Sequence, residues 1–113
     1  MSVRFNATGR RRTSFKAPAD TTAVSFTAVT EVTVLEALTI SATTGGAAAS
    51  VWINDGADDW PLMDAVALSA NTTQTYDFGN PVLQSGWSLK VKDGTGAKLT
   101  FTATFATQTR QGG

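Results

Sequence analysis

The stretch Leu99-Thr100-Phe101-Thr102-Ala103-Thr104-Phe105 (LTFTATF) decides the fold class of this chain. Apolar side chains occupy its odd positions and threonine occupies its even positions. Because successive side chains of a strand point to opposite faces, this alternation predicts a strand with one buried face and one hydroxyl-lined face. Threonine and phenylalanine also favour strands. We therefore expect Phe101 to point into a core.

The same period of two recurs upstream between turn residues. The predicted strands are Thr22 to Ala28 with Val24, Phe26 and Ala28 inward, residues 31–42 with Val32, Val34, Leu38 and Ile40 inward and a bulge near Leu35-Glu36, Ala49 to Asn54, Val66 to Ser69, Gln74 to Phe78, Val82-Leu83 and Trp87 to Lys92. Turns are predicted at 43–46 and 79–81, and a hairpin turn at 93–96. About seven or eight short strands at this spacing predict one all-β domain, a β-sandwich or jelly roll.

Composition removes several classes of function. The 113 residues include no cysteine and no histidine. Disulfides and thiolate ligands are therefore excluded, and the side chain most used in acid–base catalysis is missing. We expect no enzymatic activity, no metal site and no cofactor. The chain has neither an apolar run of about 18 residues nor a secretory signal pattern, so we expect synthesis in the cytoplasm and no membrane contact.

Charge is distributed unevenly although the formal net charge is zero. Residues 1–16 hold five basic side chains and no acid, whereas the remainder holds nine acids and four bases. Gly9 and Pro18 interrupt any regular pattern there. We predict an extended basic arm over 1–20, a β-sandwich over 21–107 and a flexible tail over 108–113. The candidate partner-binding residues of the arm are Arg4, Phe5, Arg10, Arg11, Arg12, Phe15 and Lys16.

The run Arg10-Arg11-Arg12 admits two kinds of partner. Arginine suits phosphate geometry, and release of counterions would favour nucleic acid binding. The rest of the chain is acidic, however, and a polyanion would repel it. No recognised nucleic-acid-binding motif is present either. We therefore predict that the arm contacts acidic groups of another copy or of another protein, with Phe5 and Phe15 filling pockets.

A second group of candidates surrounds an acidic loop. Asp55, Asp58 and Asp59 offer oxygen ligands for calcium, but the spacing of an EF-hand is absent. We predict instead an interface loop formed by these three acids and Trp60. Trp52 lies on the polar side of its strand and is a possible surface aromatic, so Trp52 and Trp60 could also stack on sugars. Trp87 is in phase with the apolar residues of its strand and is predicted to be core.

Three segments carry a resemblance to a known kind of protein. They are TAVSFTAVTEVTVLEALTISATTGGAAASVWI (22–53), VALSANTTQTYDF (66–78) and PVLQSGWSLKVKDGTGAKLTFTATF (81–105). Together they resemble small virion proteins of tailed bacteriophages, a group that includes capsid decoration (cement) proteins and accessory tail components. The most specific part is Val82-Leu83, then Gly86, then the alternating Leu89 and Val91. An acid often follows that glycine in the group, and here Trp87 does, so we expect a packed turn.

The resemblance implies a β-sandwich or jelly-roll virion protein without enzymatic activity. We expect a capsid decoration protein whose partners are the major capsid protein or other virion proteins and copies of itself as a homo-oligomer. Charged residues make up only 16% of the chain, and a neutral, threonine-rich surface suits such close packing. The alternatives are a ring-forming tail, collar or baseplate component and, from another class, a carbohydrate-binding module.

Overall fold

The computed structural model describes residues 4–43, 47–96 and 98–111, with side chains described for 11–43, 48–96 and 98–107. The described residues form nine β-strands and no helix: β1 (Arg4–Lys16), β2 (Val24–Ser25), β3 (Thr33–Ala42), β4 (Ala47–Asn54), β5 (Asp59–Leu68), β6 (Thr72–Tyr76), β7 (Val82–Leu83), β8 (Ser88–Asp93) and β9 (Leu99–Gln111). In this part of the chain there is accordingly no helix long and apolar enough to cross a bilayer.

The strands form two antiparallel sheets, which confirms the predicted all-β sandwich. Sheet A has the order β1-β9-β3-β6, with β7 also pairing with β3, and sheet B has the order β2-β8-β4-β5. Most connections pass from one sheet to the other, as in folds that wrap strands around a shared core. The turn at 93–96 is one of these crossings and not the predicted hairpin, because β8 belongs to sheet B and β9 to sheet A.

The core lies between the two sheets. Leu99, Phe101, Ala103 and Phe105 of β9 all point into it, as the alternation predicted. They meet apolar residues of sheet B that have the same period, including Val51 and Ile53 of β4 and Leu89 and Val91 of β8. Phe26 packs edge-on against Phe105, with ring centroids 6.1 Å apart.

The predicted bulge in β3 is present, but it changes which residues face inward. The register against β9 shifts between Leu35 and Ala37. Because the extra residue reverses the alternation, Thr33 and Leu35 are buried ahead of the bulge, and Leu38 and Ile40 are buried after it. The prediction that Val32 and Val34 point inward was therefore wrong, since it carried one parity through the bulge.

Two other predicted strands have different extents in the structure. The strand expected from Thr22 to Ala28 is limited to β2, and beyond it Phe26 and Val29 are buried while Ala28 is exposed. The strand expected at Val66 to Ser69 begins much earlier, at Asp59, because β5 pairs along all of β4. That pairing contains two register shifts. The turn predicted over 43–46 falls largely outside the described residues.

Buried polar groups at two corners fix the irregular backbone. The carboxylate of Asp93 is fully buried and accepts hydrogen bonds from the Thr95 hydroxyl and from the backbone N–H groups of Thr95, Gly96, Lys98 and Leu99, at 2.7–3.0 Å. The Ala65 N–H at a β5 bulge donates to the Ser50 hydroxyl at 2.9 Å. Each side chain satisfies amides that have left the ladder, as buried amides require.

The first and last strands form one edge of sheet A. β1 pairs with β9 from Arg4↔Gln111 to Lys16↔Phe101, with an irregularity between Asn6 and Arg10. Residues 4–16 are thus extended, as predicted, but they belong to the sheet and are not an arm apart from it. The predicted tail is corrected in the same way, because residues 108–111 continue β9. Residues 112 and 113 lie outside the described part.

Candidate interaction surface

β1 is the edge strand of sheet A and carries most of the predicted site residues. On one side it pairs with β9, and its other side has no partner strand among the described residues. An edge strand presents unpaired N–H and C=O groups, which can bind a further strand. Arg4, Phe5 and Arg10 lie on its first half, where side chains fall outside the described set. Arg11, Arg12, Phe15 and Lys16 follow on its second half.

Arg11 forms an ion pair with an acidic residue of its own chain. Its Nε donates to Oε1 of Glu36 at 2.6 Å and its Nη2 donates to Oε2 at 3.1 Å, a bidentate fork. The hydrogen bond from Arg11 lowers the pKa of Glu36. Ala106 belongs to β9, which lies between β1, the strand of Arg11, and β3, the strand of Glu36. Sequence analysis missed Glu36 as a partner, although its place as the one charged residue of β3 was the available signal.

Arg12 is exposed, and its guanidinium also contacts the edge of the core. Its guanidinium carbon is 5.3 Å from the centroid of the Phe105 ring, a cation–π geometry. An open cleft of about 220 Å³ borders this point and is lined by Arg11, Arg12, Thr30, Glu31, Thr33 and Thr107. Its charged groups are of both signs. It therefore does not present the purely basic surface that a polyanion would need.

Phe15 is the most exposed large apolar side chain of the described residues, at 69% exposure. It shares a row across sheet A with Thr102, Thr39 and Thr75. Neighbouring rows of the outer face are also uncharged and include Thr13, Thr104, Ser41 and Thr73. Hydroxyls pair across strands, with 2.9 Å between Oγ1 of Thr39 and Oγ1 of Thr75. This part of the outer face of sheet A is thus a neutral hydroxyl surface with one exposed ring at its edge, and the Arg11–Glu36 ion pair lies next to it.

The predicted interface loop is the tip of the β4–β5 hairpin, the one direct hairpin between paired strands among those described. Asp55 Oδ1 accepts the backbone N–H groups of Ala57 and Asp58, and its Oδ2 accepts Nε1 of Trp60 at 2.8 Å. These bonds, led by the Asp58 amide, lower the pKa of Asp55. Trp60 is 57% exposed yet held in one orientation, which suits an interface anchor.

The remaining acids of the loop do not converge on a cation site. Asp59 accepts Nδ2 of Asn54 at 2.7 Å and Nζ of Lys90 at 2.9 Å, and these two bonds lower its pKa. Asp58 is exposed. Within the residues that the structure describes, no three acidic groups are placed to hold a metal ion.

The tryptophans differ in exposure. Trp87 is half-buried and packs against the core, so the turn after Gly86 is packed as predicted. Trp52 is half-buried on the outer face of sheet B, where Nζ of Lys90 lies 6.0 Å from its ring centroid. Trp60 alone of the three is exposed. Trp52 and Trp60 therefore do not form a platform of two open rings for a sugar.

Comparison with known proteins identifies the fold of this chain but no family or function. No protein-family model matches the chain, and no curated protein matches its sequence. The fold is similar to that of a chain from the structure of Bacillus endospore appendages, described as disulfide-linked pili, with 10% identity and a TM-score of 0.51 over 94% of this chain and 88% of that one. This chain has no cysteine with which to form such links.

Two viral chains are more distantly similar. One is from infectious bursal disease virus, Gx strain, with 14% identity and a TM-score of 0.45 over 86% of this chain and 33% of that one. The other is a pentameric capsid protein isolated from metagenomic phage sequences, with 12% identity and a TM-score of 0.42 over 86% of this chain and 61% of that one. At these identities the likeness concerns the β-sandwich fold alone.

Proposed function

We propose that this chain is a non-enzymatic structural protein of a virus particle that binds its partners through the edge of sheet A formed by β1. The observation that carries the proposal is the open edge of β1, with Phe15 exposed on a strand rich in arginine. Strand addition at such an edge supplies main-chain hydrogen bonds, and an exposed aromatic supplies an anchor. The hydroxyl rows beside it carry no charge, and the neighbouring Arg11 and Glu36 neutralise each other, so no net charge there opposes close packing.

Within the particle, we favour the role of a capsid decoration protein. The sequence resemblance to small virion proteins of tailed bacteriophages supports it, and so does the small β-sandwich. Many weak contacts repeated over a symmetric shell would reinforce each other. A ring-forming tail, collar or baseplate component would use the same edge and is the main alternative. The partners would be the major capsid protein or another virion protein and further copies of this chain.

A simpler explanation of the basic residues on β1 is that they protect the edge of the sheet from unwanted strand pairing. Charged side chains on an edge strand discourage unwanted pairing, and Arg11 and Arg12 would serve that purpose even in a monomer. An exposed phenylalanine on the same strand does not fit that explanation, because it adds apolar surface where protection requires the opposite. A carbohydrate-binding role has only Trp60 in its support.

The test is a mass-spectrometric inventory, with stoichiometry, of purified particles of the virus whose genome encodes the chain. We expect the chain at a copy number matching the capsid lattice. A number matching a single ring would favour the tail or collar, and absence from the particles would overturn the proposal. Binding of Phe15→Ala to particles stripped of the protein should be weaker than binding of the unaltered chain. Deletion of 1–16 is a poorer test, because it removes a strand of sheet A.

A further inference from the structure

Not every sheet edge of the molecule can accept another strand. β2 and β7 are each two residues long. β5 carries Pro61 and two register shifts against β4, and proline and bulges both hinder pairing at an edge. β6 is different, because it pairs with β3 without a shift and contains neither proline nor charge. Among the described strands, β1 and β6 are therefore the open edges, and they bound opposite sides of sheet A.

The directions of the strands allow these two edges to meet. Each neighbouring pair along β1-β9-β3-β6 is antiparallel, so β6 runs opposite to β1. A second copy placed beside the first in the same orientation would bring its β6 against β1 as an antiparallel neighbour. The sheet would then continue from copy to copy without a change of hydrogen-bonding pattern.

Charge favours the same arrangement. Pairing β1 with β1 of another copy would oppose two strands that each contain Arg10, Arg11, Arg12 and Lys16. Pairing β1 with β6 opposes basic residues to the neutral segment TTQTY, which Asp77 follows. If the rows of the sheet continue without stagger, Asp77 lies near Thr13 and Arg12 of the next copy. Like charges directly opposite are destabilising, whereas opposite charges contribute favourably.

We propose that copies of this chain assemble head to tail, with β1 of one copy adding to the β6 edge of the next and extending sheet A. Such a contact joins two different surfaces, so it produces a closed ring or an open filament and not a two-fold dimer. The proposal rests on the proposed function in that it names the second copy as an occupant of the β1 edge. It also assigns the neutral β6 edge, which sequence analysis did not single out.

Cysteine cross-linking tests the contact directly, because the chain has no cysteine of its own. Thr13→Cys and Thr75→Cys place exposed thiols on β1 and β6. Within one copy these strands are three interstrand steps apart, about 14 Å, whereas a disulfide needs Cα atoms within about 7 Å. Any cross-link is therefore between copies. In the unstaggered register Thr75 lies opposite Phe15, two residues from Thr13. The reagent is therefore a short bismaleimide, which spans this offset, with oxidation as a second condition that reports a closer register.

The expected result has three parts. A mixture of the two single variants gives a mixed dimer, the double variant gives a ladder of higher species, and neither single variant cross-links alone. A control mixture of Thr27→Cys with Thr75→Cys, which places one thiol on an exposed loop, stays monomeric. Dimers of Thr13→Cys alone would show two-fold pairing of β1 and overturn the proposal. Absence of any cross-link up to millimolar protein would overturn it as well.

Two substitutions at one β6 position test whether the charge at this edge controls self-assembly. Thr75→Lys places a cation opposite the basic β1 of the next copy, whereas Thr75→Glu places an anion there. We expect the lysine variant to sediment as a monomer and the glutamate variant to assemble at least as well as the unaltered chain, with Thr27→Lys as the control. Equal assembly of both variants would contradict the contact. If no self-assembly occurs but the chain is abundant in particles, the proposed function stands and only the head-to-tail contact fails.

Discussion

Arg11 and Glu36 form a two-pronged ion pair across strand β9, with the shorter bond 2.6 Å long. The pair ties the edge strand β1 to the interior strand β3 over the small side chain of Ala106, which is fully buried. Arginine and carboxylate match each other in this planar geometry better than a single-point ion pair would. The edge strand is therefore fastened by a side-chain contact as well as by its ladder to β9.

Replacing Glu36 by Gln should loosen β1. Hydrogen–deuterium exchange should show lower protection factors for residues 11–16, while β8 is unaffected. Because the hydrogen bond from Arg11 lowers the pKa of Glu36, the stabilisation is present above the ordinary carboxyl pKa and is lost as pH falls through the lowered value. Asp58→Asn, which alters an exposed acid elsewhere, is the control. Unchanged protection of β1 would mean that the ladder alone holds the strand.

Asp93 should be far more sensitive to substitution than other acids. Asn has one acceptor oxygen where five donors converge, so Asp93→Asn leaves buried N–H groups without partners. We expect a loss of about 2–5 kcal/mol in the free energy of unfolding, measured by urea titration. Asp58→Asn should change it by no more than about 0.5 kcal/mol. A loss as small as that at Asp93 would mean that water can replace the carboxylate.

The same carboxylate predicts a pH dependence. Burial acts to raise the pKa of Asp93, but the hydrogen bonds from Lys98, Thr95 and Leu99 together outweigh it, and the pKa is lowered. Its contribution to stability is therefore present above the ordinary pKa of about 3.9 and is lost as pH falls through the lowered folded value. Thermal unfolding of the unaltered chain should become easier in that acidic range. In Asp93→Asn this part of the pH dependence should be missing.

Truncation of two phenylalanines in the same sheet should affect stability very differently. Phe101 is fully buried, so Phe101→Ala should cost about 3–5 kcal/mol. Phe15 is exposed, and Phe15→Ala should change the stability of the isolated chain by no more than about 0.5 kcal/mol. Thermal melting of both variants compares them under one condition. An unchanged melting temperature for Phe101→Ala would contradict the inward phase of β9.

Asn80 holds the β3 bulge, and its backbone is in the left-handed region with φ 55°. Its Nδ2 donates to the backbone carbonyl of Glu36 at 3.1 Å. Both Asn80→Gly and Asn80→Ala remove the hydrogen bond. Glycine adopts a positive φ without strain, whereas alanine keeps a Cβ there without the polar side chain that makes asparagine tolerant of it, at a further cost of about 1 kcal/mol. Urea titration should therefore rank the alanine variant below the glycine variant. The reverse order would mean that the loop adopts another backbone conformation.

Alternation in the sequence predicted β9, β4 and β8 correctly, because each of these strands keeps one period of two along the core. It failed at Val32 and Val34, because the bulge reverses which alternate residues face the core. The sequence ahead of the bulge is compatible with either face pointing inward. It also treated residues 1–20 as an extended basic arm. A strand that lies at an edge and carries only isolated aromatic residues has no apolar period by which sequence could place it in a sheet.

The acidic loop shows a different limit. Its position, its turn and the exposure of Trp60 were predictable from composition, but the hydrogen bonds that occupy Asp55 and Asp59 were not. Whether acids near one another bind a cation or their own backbone depends on the local turn geometry, which the spacing of the residues does not fix. The pairing of Arg11 with Glu36 was equally hidden, because it depends on the order of the strands in sheet A.

The pairing of β1 with β9 has a consequence for the order of events during synthesis. β1 is made before every other described strand, yet its only partner begins at Leu99. A nascent chain that has reached β8 therefore carries a basic edge segment with no strand to pair with, while β4, β5 and β8 of sheet B can already associate. Contacts of such long sequence separation form late and slowly. The surface proposed here for binding partners would thus be the last to mature, which delays assembly until the rest of the sandwich has formed.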